Sequence, residues 1–390
     1  MQTNYKINIY GSTGKIGSKT LKILKNYFPR VKVNLLVANN NYKKLILQTQ
    51  LYKPKYVCIL NKKKYSILKK NINLNKTKLI EPDEIYEFIN NSKSDFSILA
   101  ISGYHALNFI IPIFSNTKNL GIVNKESIVS AGHLFKKLLK KYKINLTPLD
   151  SEHYSLFNFF KNNYKSNFNE ISKIYLTASG GPFLNYKTHQ LYKVPFNKVV
   201  KHPKWNMGYK NSIDSATMVN KCLEIIEAHY IFGIDFKKLD ILIHPEALVH
   251  SIIEYKDHTS ILNYFHHDMS IPIYNFLSSS INKKKLLKIN NESDFSNKLN
   301  INFSPPNQNQ FPILKIFNEI EKSDYSNFIK FNCANEFAVN LFSKKLINFG
   351  DIHKIIEKSL LLDFDNKIND VKHIIEYQKM YFNLLKSKFD

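Results

Sequence analysis

Three acidic residues in two separate segments are the candidates for metal chemistry. Asp150 and Glu152 are two positions apart in the sequence DSEH (150–153), at the end of the strand-like segment Ile144–Leu149. If that strand continues, both carboxylates point to the same side, and such close like charges are costly unless a cation joins them. A salt bridge to lysine is the alternative explanation. With Glu224 as a third oxygen ligand, the set would suit Mg²⁺ or Mn²⁺; taken alone, Glu224 also fits a surface helix acid.

The residues that precede Glu224 could bind a phosphate group. The sequence DSAT (214–217) is typical of a helix N-cap and predicts a helix over Ala216–Phe232. Ser215 at that start would present its hydroxyl and nearby backbone N–H groups to a phosphate. Asn220 and Lys221 follow within about one turn. One helix thus offers both phosphate donors and a carboxylate.

Two further segments lie between these clusters. The first, SGGP (179–182), follows a strand-like segment and could let an anion approach the backbone. The second, HPKWNMG (202–208), contains the only tryptophan and is typical of a mobile lid that excludes water from a closed site. A lone histidine or tryptophan is more often structural.

A glycine-rich loop follows the first strand-like segment, Tyr5–Tyr10. Its sequence GSTGKIG (11–17) leads into a helix, and such glycines let a backbone turn tightly against a pyrophosphate at the helix N-terminus. The spacing is GxxGxxG rather than GxGxxG, so an ordinary glycine-rich turn is the alternative.

The residues after the second strand-like segment indicate which nicotinamide cofactor is preferred. NAD-selective sites place an acidic residue there to hold the ribose hydroxyls. Here the strand is followed by Asn39, Asn40 and Asn41, then by Lys43 and Lys44. Because no carboxylate is present there to repel a 2′-phosphate, the sequence favours NADPH over NADH. The alternative is that these are solvated loop residues.

The elements that must position these groups change in character along the chain. Strand-like and helical segments alternate over the first 150 residues, which predicts a Rossmann-like, doubly wound parallel sheet of the α/β class. An α+β segment follows, then a Ser-, Asn- and Lys-rich stretch with Pro305 and Pro306, then helices alone. We predict an NADPH-binding domain (1–150), a catalytic metal- and substrate-binding domain (151–277), a linker (278–310) and a C-terminal helical domain (311–390).

The amino-acid composition indicates which kinds of partner the chain is expected to bind. The net charge of +25 invites a nucleic-acid interpretation. Nearly all of it is lysine, however, with Arg30 the only arginine, so we expect a coding bias and no nucleic-acid partner. No apolar run is long enough to cross a bilayer, and three scattered cysteines fit a reducing compartment. We therefore expect no membrane partner and a cytoplasmic location; a transit peptide removed before residue 1 would instead indicate a plastid-type organelle.

Together these segments resemble the 1-deoxy-D-xylulose 5-phosphate reductoisomerase family. Seven of them occur in the family's order and approximate spacing and cover the chain nearly from end to end: GSTGKIG (11–17), NKES (124–127), DSEH (150–153), SGGPF (179–183), HPKWNMG (202–208), DSATMVNKCLE (214–224) and NCANE (332–336). The resemblance implies NADPH-dependent rearrangement and reduction of 1-deoxy-D-xylulose 5-phosphate (DXP) to 2-C-methyl-D-erythritol 4-phosphate. This reaction belongs to the non-mevalonate route to isoprenoid precursors. The resemblance also implies a divalent cation (Mg²⁺, Mn²⁺ or Co²⁺) and a homodimer.

The resemblance assigns roles to individual residues. Cofactor contacts are implied for Thr13, Gly14, Lys15, Ile16, Asn39, Asn40, Asn41, Asn124, Glu126 and Gly208. Metal ligands are implied at Asp150, Glu152 and Glu224. Substrate contacts are implied for Lys125, Ser151, Glu152, Ser179, His202, Ser215, Asn220, Lys221 and Glu224, of which Lys125, Glu152 and His202 are expected to be catalytic. Asn39 stands where the family usually has glycine, which leaves the ribose-phosphate contacts open. Lys15 stands where the family often has serine, and it adds positive charge at the phosphate loop.

Two other functions are compatible with parts of the pattern. A metal-free NADPH oxidoreductase acting on a simple aldehyde or semialdehyde would share the N-terminal domain, but its activity would survive chelation. A basic Rossmann-type RNA-binding protein without catalysis would instead show salt-sensitive RNA affinity. The acidic triad argues against RNA, because carboxylates repel a nucleic-acid backbone.

Overall fold

The structure is a computed structural model in which the described residues form two compact units. It describes residues 5–72, 76–162, 168–205, 207–281, 285–289, 299–364 and 368–389. The first unit combines Met1–Asn124, Lys137–Tyr154 and Asp268–Glu292, and the second combines Lys125–Lys136, Ser155–His267 and Ser293–Asp390. Asn206 of the predicted lid and residues 282–284 and 290–298 of the predicted linker lie outside the described residues. The division into a linker and three domains stays a prediction.

Seven parallel strands form the sheet of the first unit. In chain order they are β1 (Tyr5–Tyr10), β2 (Val31–Ala38), β3 (Tyr56–Ile59), β4 (Lys78–Ile80), β5 (Ser94–Leu99), β6 (Thr117–Ile122) and β7 (Asn145–Pro148). Their order across the sheet is β4-β3-β2-β1-β5-β6-β7. The chain moves outward from β1 to β4 and then returns to β5 on the other side of β1. Such a reversal of strand order opens a crevice at the carboxyl ends of the strands, where α/β proteins bind nucleotides.

Helices connect these strands, as parallel pairing requires. They are α1 (Lys15–Tyr27), α2 (Tyr42–Tyr52), α3 (Lys62–Asn71), α4 (Ile85–Asn90), α5 (Ile110–Asn116) and α6 (Lys125–Tyr142). The core between α1 and the sheet includes Ile7, Ile9, Leu21 and Leu24, all at most 3% exposed. The predicted α/β class and doubly wound sheet are confirmed.

A helix from much later in the chain completes this first core. Helix α12 (Ser270–Ser278) packs its buried residues Ile273, Phe276 and Leu277 against the same cluster. A Cβ atom at Gly121 would lie 3.2 Å from the Phe276 ring, so glycine in β6 allows this close packing.

The second unit contains a mixed four-stranded sheet and most of the remaining helices. Its strands β8 (Ile171–Ala178), β9 (Leu239–Ile243), β10 (Val249–Tyr255) and β11 (Ser260–Tyr264) are ordered β11-β10-β8-β9. Strand β8 is parallel to β9 and antiparallel to β10. The remaining α-helices of the described residues are α7 (Ser151–Asn162), α8 (Thr188–Leu191), α9 (Phe196–Val199), α10 (Tyr209–Thr217), α11 (Val219–Phe232), α13 (Ile313–Glu319), α14 (Ser326–Ser343), α15 (Asp351–Leu360) and α16 (Val371–Phe389).

Beyond residue 311, the described residues form helices joined by turns, with no strand, as predicted. Among the residues that the structure describes, no helix combines the length and apolar character needed to span a membrane.

Two local predictions are wrong. Strand β7 ends at Pro148 and α7 begins at Ser151, so Asp150 and Glu152 are not on a continuing strand. The helix predicted over Ala216–Phe232 is in fact two helices, and Asp214 lies inside α10 rather than at an N-cap. The break falls at Met218, whose φ of 67° is left-handed and therefore cannot continue a right-handed helix.

Candidate active site

The glycine-rich loop of the first unit lies where the strand order reverses. Gly11 has φ +87°, and a Cβ atom there would be 2.5 Å from the carbonyl oxygen of Ala100, which follows β5. A Cβ atom at Gly17 would be 2.4 Å from the Gly11 carbonyl oxygen and 2.6 Å from Ser12 Cα. Only glycine therefore allows α1 to begin this close to the ends of β1 and β5.

The start of α1 has the features of a pyrophosphate cradle. Gly14 is its N-cap, and no side chain forms a hydrogen bond to cap the helix there. The Ser12 hydroxyl is buried without a hydrogen-bond partner among the described residues. Thr13 and Ile16 are half-buried, whereas Gly14 and Lys15 are exposed. Exposed amide groups at a helix N-terminus favour an anion, so the loop fits the phosphates of a dinucleotide.

The residues after β2 form an exposed, carboxylate-free turn. Asn41 caps α2 by accepting a hydrogen bond from the Lys44 N–H at 3.0 Å, and Asn40 accepts one from Asn61 at 2.8 Å. Partial burial and the nearby Lys22 ammonium lower the pKa of Lys44 from its usual value. Positive charge thus gathers beside Asn39–Asn41, which fits a 2′-phosphate.

Residues 124–126 lie where β6 leads into α6. Asn124 is buried and donates hydrogen bonds to the carbonyl oxygens of Ile101 (2.9 Å) and Gly103 (3.1 Å). The Lys125 side chain is also buried, at 8% exposure, and its Nζ lies 3.2 Å from Glu224 Oε1. The Glu126 side chain is directed to Lys210, with 3.0 Å between Oε1 and Nζ.

The first acidic segment runs from the carboxyl end of β7 into the first turn of α7. The Ser151 hydroxyl donates to Glu152 Oε2 at 2.5 Å, and His153 Nδ1 lies 3.4 Å from Asp150 Oδ1. Asp150 and Glu152 are half-buried, whereas His153 is fully buried. This segment thus places two carboxylates at the same edge of the sheet as the glycine-rich loop, although the strand does not continue through Asp150 and Glu152.

Glu224 is the centre of a buried charged cluster in the second unit. Its side chain is 1% exposed. Lys221 donates to Oε2, and Asn220 donates to Oε1, which also lies 3.2 Å from Lys125 Nζ. The alternative of a surface acid is wrong. Two ammonium groups around one buried carboxylate leave net positive charge, which suits an anionic substrate.

A second polar cluster in this unit joins Ser179 to His202. Nδ1 of His202 accepts from the N–H groups of Lys204 (3.2 Å) and Trp205 (2.9 Å). The ring proton is therefore assigned to Nε2, which donates to Ser179 Oγ at 3.0 Å. Ser179 Oγ also accepts from the Gly181 N–H at 3.2 Å. With two donors on its oxygen, the Ser179 hydroxyl is oriented to donate its own hydrogen, for example to a phosphate oxygen.

The loop that follows Ser179 packs directly on the end of α10. Gly181 has φ +69°, and a Cβ atom there would lie 3.1 Å from both Ala216 Cα and the Ser215 carbonyl oxygen. Ser215 is half-buried in the last turn of α10, and the Met218 break then redirects the chain into α11. The structure thereby brings the backbone around Ser179 and Ser215 together.

Replacement of Gly181 by alanine is therefore expected to raise KM for a phosphorylated substrate about tenfold, since overpacking and a left-handed φ each cost about 1 kcal/mol or more. Steady-state kinetics and thermal unfolding would measure the effect. Gly233→Ala is a matched control, because Gly233 is also left-handed (φ +71°) but has nothing within 4 Å of a Cβ atom. An equal KM in both variants would contradict the account.

The predicted lid is described on both sides of Asn206. The Trp205 ring packs edge-on against His250 (6.3 Å) and His267 (5.8 Å). Gly208 is the N-cap of α10 and is exposed, with nothing within 4 Å of a Cβ atom. A role of Gly208 in cofactor binding stays a prediction.

Sequence reasoning missed a buried ion network in the second unit. Lys210 Nζ lies 2.6 Å from Asp214 Oδ2 and 3.0 Å from Glu126 Oε1. Asp214 Oδ1 accepts a hydrogen bond from Asn335 Nδ2 at 2.9 Å. The i,i+4 spacing of Lys210 and Asp214 was the only available signal, and the N-cap interpretation of Asp214 concealed it.

Comparisons with known proteins agree with this arrangement. The sequence profile of 1-deoxy-D-xylulose 5-phosphate reductoisomerase matches residues 7–132, and the C-terminal domain profiles of the same family match residues 146–232 and 266–381. The 1-deoxy-D-xylulose 5-phosphate reductoisomerase of Pelagibacter ubique is 40% identical over 369 residues, 94% of each chain.

Solved structures of the same family also resemble this chain. The Zymomonas mobilis 1-deoxy-D-xylulose 5-phosphate reductoisomerase, in complex with NADPH, has a TM-score of 0.86 and 31% identity over 99% of both chains. A reductoisomerase in complex with NADPH, fosmidomycin and magnesium has a TM-score of 0.88 and 28% identity over 98% of both chains. The chain belongs to the 1-deoxy-D-xylulose 5-phosphate reductoisomerase family.

Proposed function

We propose that this chain converts DXP into 2-C-methyl-D-erythritol 4-phosphate with NADPH and a divalent cation, in isoprenoid precursor biosynthesis by the non-mevalonate pathway. The observation that carries the proposal is the buried Glu224 cluster, in which one carboxylate is surrounded by Lys125, Lys221 and Asn220. A simple aldehyde reductase has no need for this cluster. An enzyme that binds an anionic sugar beside a cation does need such a cluster.

Asp150, Glu152 and Glu224 are the proposed metal ligands. Asp150 and Glu152 are half-buried and Glu224 is buried, and each offers a carboxylate oxygen. Hard divalent cations such as Mg²⁺ and Mn²⁺ prefer oxygen ligands of this kind. When bound, the cation would polarise the ketone and hydroxyl oxygens of the substrate, and NADPH would supply the hydride.

The phosphate of the substrate is the proposed ligand of Ser179, Ser215, Asn220 and Lys221. His202 orients the Ser179 hydroxyl for donation, and Lys221 supplies positive charge. A phosphate held away from the reacting carbons would keep a small substrate in the position needed for reaction. The binding energy of the phosphate would thereby contribute to catalysis.

Lys125 and Glu152 are proposed to act on the reacting carbons. The buried Lys125 ammonium would stabilise a substrate hydroxyl or alkoxide, and Glu152 would move a proton. Ser151 donates to Glu152 Oε2, so it would fix the orientation of that carboxylate. Ser151 would also contact the substrate directly.

The cofactor is proposed to lie along the loop 13–16, the turn 39–41 and the residues Asn124, Glu126 and Gly208. The glycine packing around Gly11 and the positive charge beside Asn41 support NADPH at this end of the sheet.

The direct test is NADPH oxidation in the presence of DXP, measured by absorbance with Mg²⁺ or Mn²⁺ and again after chelation. We expect turnover that requires both the sugar phosphate and the metal. Oxidation that continues after chelation would favour a metal-free reductase, and well-folded protein that binds NADPH but is inactive with every metal would refute the proposal.

We further propose that the enzyme is a cytoplasmic homodimer with a catalytic domain over 151–277 and a helical domain over 311–390. Cys58, Cys222 and Cys333 are all buried and free, which fits a reducing compartment. Sedimentation analysis tests the homodimer, since a monomer at assay concentration would refute it.

A further inference from the structure

Lys210 touches both acids of the buried ion network in the second unit. It joins the start of α6, through Glu126, to the last turns of α10, through Asp214. The three residues are 8%, 4% and 2% exposed, respectively. Glu126 follows Lys125 directly in the chain, and Asp214 precedes Ser215 directly. The network therefore connects two segments whose neighbouring residues are proposed to hold the substrate.

The C-terminal helices extend this network. Asn335 of α14 is fully buried and donates to Asp214 Oδ1 at 2.9 Å. One turn earlier, the fully buried Asn332 donates to the Ser130 hydroxyl of α6 at 3.4 Å. These two asparagines belong to the segment NCANE (332–336), for which the proposed reaction provides no direct role. In this unit, α14 thus supports both α6 and α10.

The charge balance makes Lys210 the critical member. The carboxylates of Asp214 and Glu126 both contact the Lys210 ammonium group, so removal of Lys210 would take away the cation that touches both of these buried acids. Breaking a buried ion pair by removing one partner is strongly destabilising, because the remaining charge stays desolvated. Although burial alone would lower it, the carboxylates of Asp214 and Glu126 raise the pKa of Lys210 above its usual value, so this group stays charged.

We infer that Lys210 is a positioning residue, which sets the distance between the Lys125 and Ser215 segments through its contacts with Glu126 and Asp214. This inference rests on the proposed function, because it assigns Lys125 and Ser215 to the substrate. Lys210 itself touches neither of them in any contact described above. Its effect on the reaction would be indirect, through the relative placement of two short segments.

Lys210→Met tests this role. We expect kcat for DXP to fall about 100-fold, since a shift of about 1 Å in reacting groups can cost that much. The melting temperature should also fall, so a second variant must separate placement from stability. Lys210→Met combined with Asp214→Asn restores the original net charge of the network while the bridge between α6 and α10 remains absent. We expect this double variant to recover the melting temperature but not kcat.

Lys322→Met is a matched control for loss of a partly buried lysine in the same unit. Lys322 donates to main-chain carbonyl groups at the end of α13, including that of Ile320 at 2.9 Å, and should affect the melting temperature without lowering kcat. If Lys210→Met does not fold, Asn335→Ala removes one hydrogen bond from Asp214, and kcat should then fall about tenfold with KM for NADPH unchanged.

Two results would overturn the inference. One is recovery of kcat together with the melting temperature in the double variant, and the other is wild-type kcat in either Lys210→Met or Asn335→Ala. A wild-type chain that binds NADPH without turning over DXP would instead refute the proposed function, and the inference with it.

Discussion

Replacement of Glu224 by glutamine is expected to lower kcat about 1,000-fold while NADPH affinity stays within about twofold of the wild type. The substitution preserves size but removes the carboxylate charge that faces both Lys125 and Lys221. It would remove a proposed metal ligand and also leave two buried ammonium groups without their carboxylate. Metal-dependent turnover and NADPH binding by fluorescence are the two measurements.

Glu254→Gln is the matched control for this variant. Glu254 is a half-buried residue of β10 in the same unit, and it accepts a hydrogen bond from the Tyr175 hydroxyl at 3.1 Å. Its loss should leave kcat unchanged. Wild-type turnover in Glu224→Gln, at any concentration of Mg²⁺ or Mn²⁺, would exclude Glu224 as a metal ligand.

Replacement of Gly17 by alanine is expected to weaken NADPH binding about 30-fold. The new methyl group would lie 2.4 Å from the Gly11 carbonyl oxygen and 2.6 Å from Ser12 Cα, both of which are backbone atoms. Overpacking of this kind costs about 1–3 kcal/mol, and every 1.4 kcal/mol is a factor of about ten in affinity. The loop would have to open, which would move the start of α1 away from the phosphates.

The control for this variant is Asn26→Ala, at an exposed position in the last turn of α1. It tests whether any change in α1 disturbs the cofactor. Titration of both variants with NADPH, together with their melting temperatures, separates loss of affinity from loss of fold. Unchanged affinity in a stable Gly17→Ala protein would show that this loop does not hold the cofactor.

The first unit was largely predictable because its signals are local. Strand β1 has the predicted bounds, since it is a short apolar segment that ends at a turn residue, and a helix follows the glycine-rich loop as predicted. The glycine-rich loop was predictable for the same reason. Its fit against Ala100, however, depends on pairing between β1 and β5, which are almost ninety residues apart in the sequence.

The second unit was harder to predict because its decisive contacts are long-range. The residues of DSAT (214–217) have the composition of an N-cap, but α10 already begins at Tyr209 and ends at the left-handed Met218. Local propensity does not reveal that break, because a buried methionine with positive φ is held by tertiary packing. Likewise, nothing in the local sequence connects Lys210 to Glu126 or Asp214 to Asn335.

The reaction itself is tested by identifying the product formed from DXP, NADPH and Mg²⁺ by nuclear magnetic resonance in a single sample. We expect a branched phosphate whose methyl group is on a hydroxyl-bearing quaternary carbon, formed in equal amount to the NADPH consumed. An unbranched product formed by reduction of the ketone would contradict it, because the chain would then be a reductase without isomerase activity.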